Sequence, residues 1–325
     1  MKPDPQIDNE KKGPRPRVLL IAGPTASGKS ALALDLAARL GGEIVNADSM
    51  QVYAGLRVLT ARPSRAEEAL QPHHLYGVLD PAETCSAQRW AEMAAAKIAE
   101  IEARGKLPIL VGGTGLYFKA LVEGLSEMPA IPEEVRAAIR AEVAENLARA
   151  HARLASADPE AAAKIAPTDP QRTARALEVL EATGKPISHW QQQKGAPLFD
   201  GASAGFVLDP DRTWLRARID RRFDQMIGEG ALEEVAALFE RGLSPDLPAM
   251  KALGVPPLLA HLAGELALEA AIEQAKTQTK QYAKRQSTWF RHQMISWNRL
   301  SAQEMESQIQ EIFSFIDDFG LTPSG

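Results

Sequence analysis

Eight consecutive residues, Gly23-Pro24-Thr25-Ala26-Ser27-Gly28-Lys29-Ser30, have the types and spacing that grip a phosphate. Glycines allow the backbone to wrap tightly, so that successive N–H groups point inward at anionic oxygens, and a helix starting there adds its positive dipole end. Lys29 supplies a mobile positive charge, and the Ser30 hydroxyl suits a Mg²⁺ ion bridging two phosphates. The pattern fits the P-loop at every fixed position and predicts a ligand carrying a di- or triphosphate. It leaves open what is done with that phosphate.

Two further polar groups fall at the ends of apolar runs. Asp48, in Asp48-Ser49-Met50-Gln51-Val52-Tyr53, has three readings: a metal-holding carboxylate, a general base, or a turn that caps a helix. Thr114, in Gly112-Gly113-Thr114-Gly115, reads locally as an N-cap of the helix after it, and its hydroxyl also suits a phosphate or leaving-group oxygen.

The elements around these residues must place them on one rim. Residues 17–22 form a short apolar run bounded by Pro16 and Gly23, which predicts a buried parallel strand. Leu32, Leu36 and Leu40 recur at helical spacing over 31–40, and 43–48 predicts the next strand. Strand, helix and strand in about 30 residues make one right-handed βαβ unit. A helix over 86–104, a strand over 107–111 and a helix from about residue 116 extend the alternation into an α/β sheet with helices on both faces. In such sheets ligands sit outside the carboxyl ends of the strands, so Asp48, Thr114 and Lys29 are expected around one crevice.

Beyond Gly124 the composition shifts. Residues 125–200 are rich in Ala, Glu and Arg, are punctuated by Pro129, Pro132, Pro159, Pro167, Pro170 and Pro186, and contain no strand-like run. They predict a helical insertion, after which 205–208 returns as a strand. Helices are expected over 215–227, 231–240, 266–291 and 302–319. The domain plan is an N-terminal arm (1–16), a core (17–124 and 201–300), the insertion (125–200) and a C-terminal helix and tail (301–325).

With 325 residues, 45% hydrophobic and 24% charged, the chain is too ordinary in composition to be disordered, collagenous or a disulfide scaffold. The single Cys85 forms no internal disulfide and no zinc site by itself, which suits a reducing compartment. No apolar stretch approaches the roughly 20 residues of a membrane span. The polar start, with Lys11, Lys12, Arg15 and Arg17, reads as a loose arm rather than a secretion signal, so a cytoplasmic location is expected. Net charge is −5, yet between Gln274 and Gln303 there is no Asp or Glu, while Lys276, Lys280, Lys284, Arg285, Arg291 and Arg299 all fall there. Such a stretch is either a nucleic-acid face or a solvated helix whose charges pair with acids elsewhere.

Taken in order, several motifs resemble the tRNA dimethylallyltransferases of bacterial type, also called tRNA isopentenyltransferases. These are the P-loop Gly-Pro-Thr-Ala-Ser-Gly-Lys-Ser, Asp-Ser-Met-Gln-Val-Tyr53, Pro72-His-His-Leu75, Gly-Gly-Thr-Gly-Leu-Tyr117, Arg172-Thr-Ala-Arg175-Ala-Leu-Glu-Val179 and Ala283-Lys-Arg-Gln-Ser-Thr-Trp289. The resemblance covers residues 23 to about 291 and implies a P-loop NTPase-like parallel sheet core with a helical insertion.

The implied reaction moves a dimethylallyl group from its diphosphate to the exocyclic amine of the adenosine just 3′ of the tRNA anticodon. The P-loop residues 23–30 would then hold the donor's diphosphate. Asp48 matches the family's general base, with Lys29, Mg²⁺ at Ser30, Thr114 and Arg218 stabilising the departing diphosphate, and the other arginines of Leu215-Arg-Ala-Arg-Ile-Asp-Arg-Arg222 facing solvent.

The target base is stacked and must be extruded. Asp48, Ser49, Met50 and Gln51 are expected beside it, with Arg136, Gln171, Arg172, Thr173, Ala174, Arg175, Lys251, Lys284 and Arg285 on the RNA, and Lys280 and Arg291 on backbone phosphate. The insertion would clasp the anticodon stem-loop, and the enzyme would act as a monomer.

Two departures stand out: Leu59 replaces a glycine of the family pattern, which bears on local backbone geometry, and Val255-Pro256 stands where a Tyr commonly follows. Rival readings are a small-molecule kinase and a non-catalytic, nucleotide-gated RNA-binding module.

Overall fold

The computed structural model describes residues 16–193, 195–301 and 304–317. Most of the expected N-terminal arm and the end of the C-terminal tail lie outside those residues. The chain divides into two compact units, one running to Val122 and resuming at Leu198, the other spanning Glu123–Pro197.

The first unit holds one sheet of six strands: β1 (Val18–Ala22), β2 (Gly42–Asn46), β3 (His73–His74), β4 (Leu107–Gly112), β5 (Ser203–Leu208) and β6 (Asn298–Leu300). Their order is β3-β2-β4-β1-β5-β6, and every neighbouring pair is parallel. β1 sits between β4 and β5, and all five of its residues are buried, as a strand with both faces covered requires. The edge strands β3 and β6 have two and three residues and were not foreseen; short edges offer little unpaired backbone to another chain.

Helices α1 (Lys29–Leu40), α2 (Arg65–Leu70), α3 (Ala87–Ala103) and α4 (Gly115–Val122) precede the second unit. That unit contains α5 (Glu133–Glu145), α6 (Leu147–Ala157), α7 (Pro159–Lys164), α8 (Pro170–Thr183) and α9 (Ile187–Gln191). The first unit resumes with α10 (Arg212–Gly228), α11 (Ala231–Glu240), α12 (Val255–Leu262), α13 (Leu268–Gln293) and α14 (Met305–Asp317).

Leu32, Ala33, Leu36 and Ala37 of α1 are buried with Leu19, Ile21, Ile44 and Ile109 of the strands, and Ile309 and Ile312 of α14 join the same core. The second unit has its own core of Ile139, Val143, Leu154, Leu177 and Val179. Asp158 and Asp169 cap α7 and α8, each followed by a proline in the first turn, where its missing N–H costs nothing. Among the described residues, no helix is long and apolar enough to cross a membrane.

Candidate active site

The phosphate loop runs from the end of β1 to the start of α1. Gly28 has φ 97°, a left-handed conformation that L side chains rarely adopt, and it caps α1 without a side chain of its own. Lys29 turns back over the loop, its Nζ 3.3 Å from the Pro24 carbonyl. Burial pulls its amino group down to about 8, with Asp48 opposing that shift and Arg222 adding to it. Ser30 is exposed in the first turn of α1.

Asp48 follows the tip of β2, the strand next to β4. Asn46 fixes the turn: its Oδ1 accepts the Asp48 N–H at 2.9 Å, and its Nδ2 donates to the Asp48 and Leu75 carbonyls at 3.0 Å. Asp48 Oδ1 accepts the Met50 N–H at 2.9 Å, which is the turn role; no helix begins there, so the helix-cap reading falls away. Thr114 likewise does not cap α4 with its hydroxyl. Its Oγ1 accepts the Ser49 N–H at 2.9 Å and lies 3.3 Å from the Ser49 hydroxyl, latching the Asp48 loop to the end of β4.

Helix α10 brings a group that the sequence reading had assigned to solvent. Arg222 donates from Nη2 to the Thr25 hydroxyl and lines the same cavity as Asp48. Loss of hydration, then the charge of Arg218, lowers its guanidinium to about 10, with Asp48 opposing. Arg218, one turn earlier, stacks 5.0 Å over the Trp214 ring, and its Nη2 lies 4.0 Å from where a Cβ on Gly28 would stand. The signal for Arg222 was its spacing: residues four apart share a helix face.

The cavity encloses about 310 Å³ and has two characters. Thr25, Asp48, Ser49, Arg222 and Tyr282 make a polar wall, while Met50, Leu59, Ile219, Phe223, Met226 and Leu253 make an apolar one. Lys251 and Arg285 also line it. The segment carrying Leu59 is held by Glu234 of α11, whose carboxylate accepts the N–H groups of Arg57, Val58 and Leu59 at 2.8–3.0 Å. Leu59 keeps an ordinary negative φ, and the left-handed residue of that segment is Ala61, so the departure at 59 changes the cavity wall rather than the backbone. Val255 is fully buried at the start of α12, with both following prolines in its first turn.

Gln286 of α13 also escaped the sequence reading. Only 5% exposed, it accepts the Thr25 N–H through Oε1 at 2.9 Å and donates through Nε2 to the Gly113 carbonyl at 2.8 Å. The available signal was a glutamine on the Ala275, Thr279, Ala283 and Phe290 stripe, since a buried amide must find partners.

The structure therefore brings Thr25, Asp48, Ser49, Met50, Lys251 and Arg285 to one cavity. Gln51 stands apart in role: its amide donates to the Thr60 and Ala61 carbonyls at 2.8 and 3.0 Å and braces the wall. Lys280 pairs with Asp220, and Arg291 lies 3.8 Å from Asp209, so both cations already have carboxylates. Lys276 is similarly paired, with Asp224 at 2.7 Å and Glu273 at 2.9 Å. Lys284 and Arg285 are exposed, and among the described residues no carboxylate pairs with either; Arg285 lies over the Tyr282 ring.

Within the second unit, Thr173 is fully buried and Ala174 nearly so, because both face that unit's core. Direct RNA contact through these two side chains is corrected accordingly. Gln171 and Arg172 are exposed. Arg136 pairs with Glu133 at 3.7 Å, Arg172 with Asp169 at 3.5 Å and Arg175 with the buried Glu178 at 3.5 Å.

A parallel sheet whose first strand feeds a phosphate cradle, with a carboxylate after the second strand lining one cavity with an apolar wall, defines a P-loop protein. The chain belongs to the IPP transferase family, whose model matches residues 51–293. It is 61% identical over 308 residues to a tRNA dimethylallyltransferase of Parvibaculum lavamentivorans, covering 95% of this chain and 98% of that protein. It is 55% identical over 306 residues to one of Rhodopseudomonas palustris, covering 93% and 95%. Among solved structures, it is similar to a eukaryotic dimethylallyltransferase acting on tRNA, with a TM-score of 0.77 and 30% identity over 93% of this chain and 79% of that one. A tRNA isopentenylpyrophosphate transferase of Bacillus halodurans matches with a TM-score of 0.67 and 36% identity, covering 92% and 95%.

Proposed function

We propose that this enzyme transfers a dimethylallyl group from dimethylallyl diphosphate to the exocyclic amine of the adenosine 3′-adjacent to the tRNA anticodon, releasing diphosphate. The observation that carries this reading is the two-sided cavity. Lys29 stands on the P-loop and Arg222 reaches it through Thr25, neither ion-paired with a carboxylate among the described residues, while Asp48 and an apolar wall of Leu59, Ile219, Phe223 and Met226 line one cavity with Arg222. That wall suits a five-carbon apolar tail beside the diphosphate.

An adenine amine is a poor nucleophile because its lone pair is delocalised into the ring. As it attacks the allylic carbon, the carbon–oxygen bond to the diphosphate breaks, and the amine proton passes to the Asp48 carboxylate. Lys29, Arg222 and Arg218 meet the charge that grows on the leaving oxygens. Thr114 holds the Asp48 turn through Ser49, a positioning part in place of direct contact with phosphate.

Mg²⁺ fits the residues present. Ser30 offers a hard hydroxyl oxygen at the head of α1, and among the described residues no cluster of three or more His, Cys, Asp or Glu side chains is arranged to hold a metal. Ser30 would hold such an ion, which when bound would supply positive charge to the leaving group.

The exposed Gln171 and Arg172, with Lys284 and Arg285, are the side chains assigned to RNA, and the second unit to the anticodon stem-loop. The enzyme works as a cytoplasmic monomer in this reading. The test is to incubate purified protein with Mg²⁺, dimethylallyl diphosphate and unmodified tRNA, then digest the RNA for nucleoside mass spectrometry. One adenosine gains a dimethylallyl group if the reading is right; phosphate release from ATP with unchanged nucleosides would overturn it.

A further inference from the structure

We propose that Gln286 is a positioning residue that locks the phosphate cradle to the loop beside Asp48, and so sets the distance between donor and proton acceptor. The inference rests on the prenyl-transfer reading above. The two groups it joins, the Thr25 N–H and the Gly113 carbonyl, lie on the loops leaving β1 and β4, adjacent strands of the sheet. The first loop also carries the hydroxyl held by Arg222; the second leads into Thr114, which holds Ser49 next to Asp48. A bridge between them therefore links the donor's anchor to the base's anchor.

The local geometry is built around this bridge. A Cβ at Gly113 would stand 2.3 Å from Gln286 Nε2 and 3.3 Å from Asp48 Oδ2, so only glycine lets the amide come this close to that peptide. An amide accepts on one side and donates on the other without a charge. A carboxylate of the same length would still accept from Thr25, but it would face the Gly113 carbonyl lone pair to lone pair. Methionine, of similar length, would serve neither group. Misplacing reacting groups by about 1 Å costs on the order of a hundredfold in rate, so the loss should appear in turnover rather than in RNA binding.

The experiment compares wild type, Gln286→Glu and Gln286→Met as full-length proteins. Steady-state prenyl transfer is measured from about pH 5.5 to 8.5, with circular dichroism to check folding. Near pH 8 both variants should lose at least about tenfold in turnover, with apparent KM for tRNA within about twofold of wild type. The ratio of Q286E to wild type should climb as pH falls, because a protonated carboxyl donates to the Gly113 carbonyl while still accepting from Thr25; the Q286M ratio should stay flat. Asp48 beyond Gly113, Lys29 and Arg222 on the cradle side, and Tyr282 one turn earlier are present in all three proteins, so the ratio removes their common contribution. A pH-independent Q286E ratio overturns the proposal. So does wild-type turnover in Q286M, whatever becomes of Q286E. If wild type itself prenylates no tRNA, the functional reading fails instead. The bridge is then judged by inorganic pyrophosphate binding in Mg²⁺, which Q286M weakens if the proposal holds and leaves unchanged if it does not.

Discussion

The cations of the cradle and the cations of α13 look alike in sequence and differ in company. Lys276, Lys280 and Arg291 each have a carboxylate within ion-pairing distance, from Asp224, Glu273, Asp220 or Asp209. Among the described residues no carboxylate lies within ion-pairing distance of Lys29 or Arg222, whose polar contacts are a carbonyl and a hydroxyl. An unpaired cation that has lost much of its hydration is costly unless an anion completes it. The pairing, not the density of charge along the chain, marks where a diphosphate is to be expected.

The largest break in that comparison comes from the one carboxylate among the unpaired cations. Asp48→Asn keeps the volume and an oxygen to accept the Met50 N–H, but removes the proton acceptor. Turnover should fall by about 10³–10⁴-fold while tRNA binding, read by filter retention, stays within a few-fold of wild type. Near-normal turnover would return Asp48 to a turn-making role alone and would favour a non-catalytic binding module.

Next in size is the pair on α10. Arg222→Gln should cost about 10²–10³-fold in turnover, the usual range for removing a group that meets developing charge. Arg218→Gln should cost less, because its guanidinium is already engaged with the Trp214 ring. An equal or reversed ranking would show that the diphosphate lies nearer Gly28 than Thr25.

These two arginines also show what sequence could and could not reveal. β1, the cradle and the start of α1 were legible because a wholly buried parallel strand is a continuous apolar run and the glycine spacing has few other uses. The second unit was legible by composition, as a helical stretch without strand patterning. Arg222 was not, since four arginines crowd residues 216–222 and only the packing of Ile219 and Phe223 against the cavity decides which of them turn inward. Gln286 was hidden for the same reason: its partners are backbone groups about 170 and 260 positions away in sequence. β3 and β6 were hidden because two or three residues carry no periodicity, and their pairing is set by the neighbouring strand.

On α13 the contrast can be tested within a single helix. Lys284→Ala with Arg285→Ala should flatten the dependence of log affinity on log salt by about one to two units, at roughly one unit per lost phosphate contact. At fixed moderate salt this is about a tenfold loss in tRNA affinity. Lys276→Ala with Lys280→Ala should leave the slope unchanged, because those charges are already satisfied by Asp224, Glu273 and Asp220. Equal slopes in the two double variants would erase the distinction between paired and unpaired cations.

The smallest effect is a pH dependence of the cradle. Lys29 is held at about 8, below its ordinary value near 10.5, chiefly by burial. Between those values the folded protein binds fewer protons than the unfolded chain, so this residue makes stability rise with pH across that window. A bound diphosphate favours the charged ammonium and should restore the proton. Binding of inorganic pyrophosphate should therefore take up a proton at alkaline pH and weaken roughly threefold between pH 7.5 and 8.5 as the ammonium fraction falls. Calorimetry in buffers of different ionisation enthalpy measures the uptake directly, and Lys29→Gln should abolish it. Proton uptake that survives in Lys29→Gln would assign the titration to another group and leave Lys29 charged in the free protein.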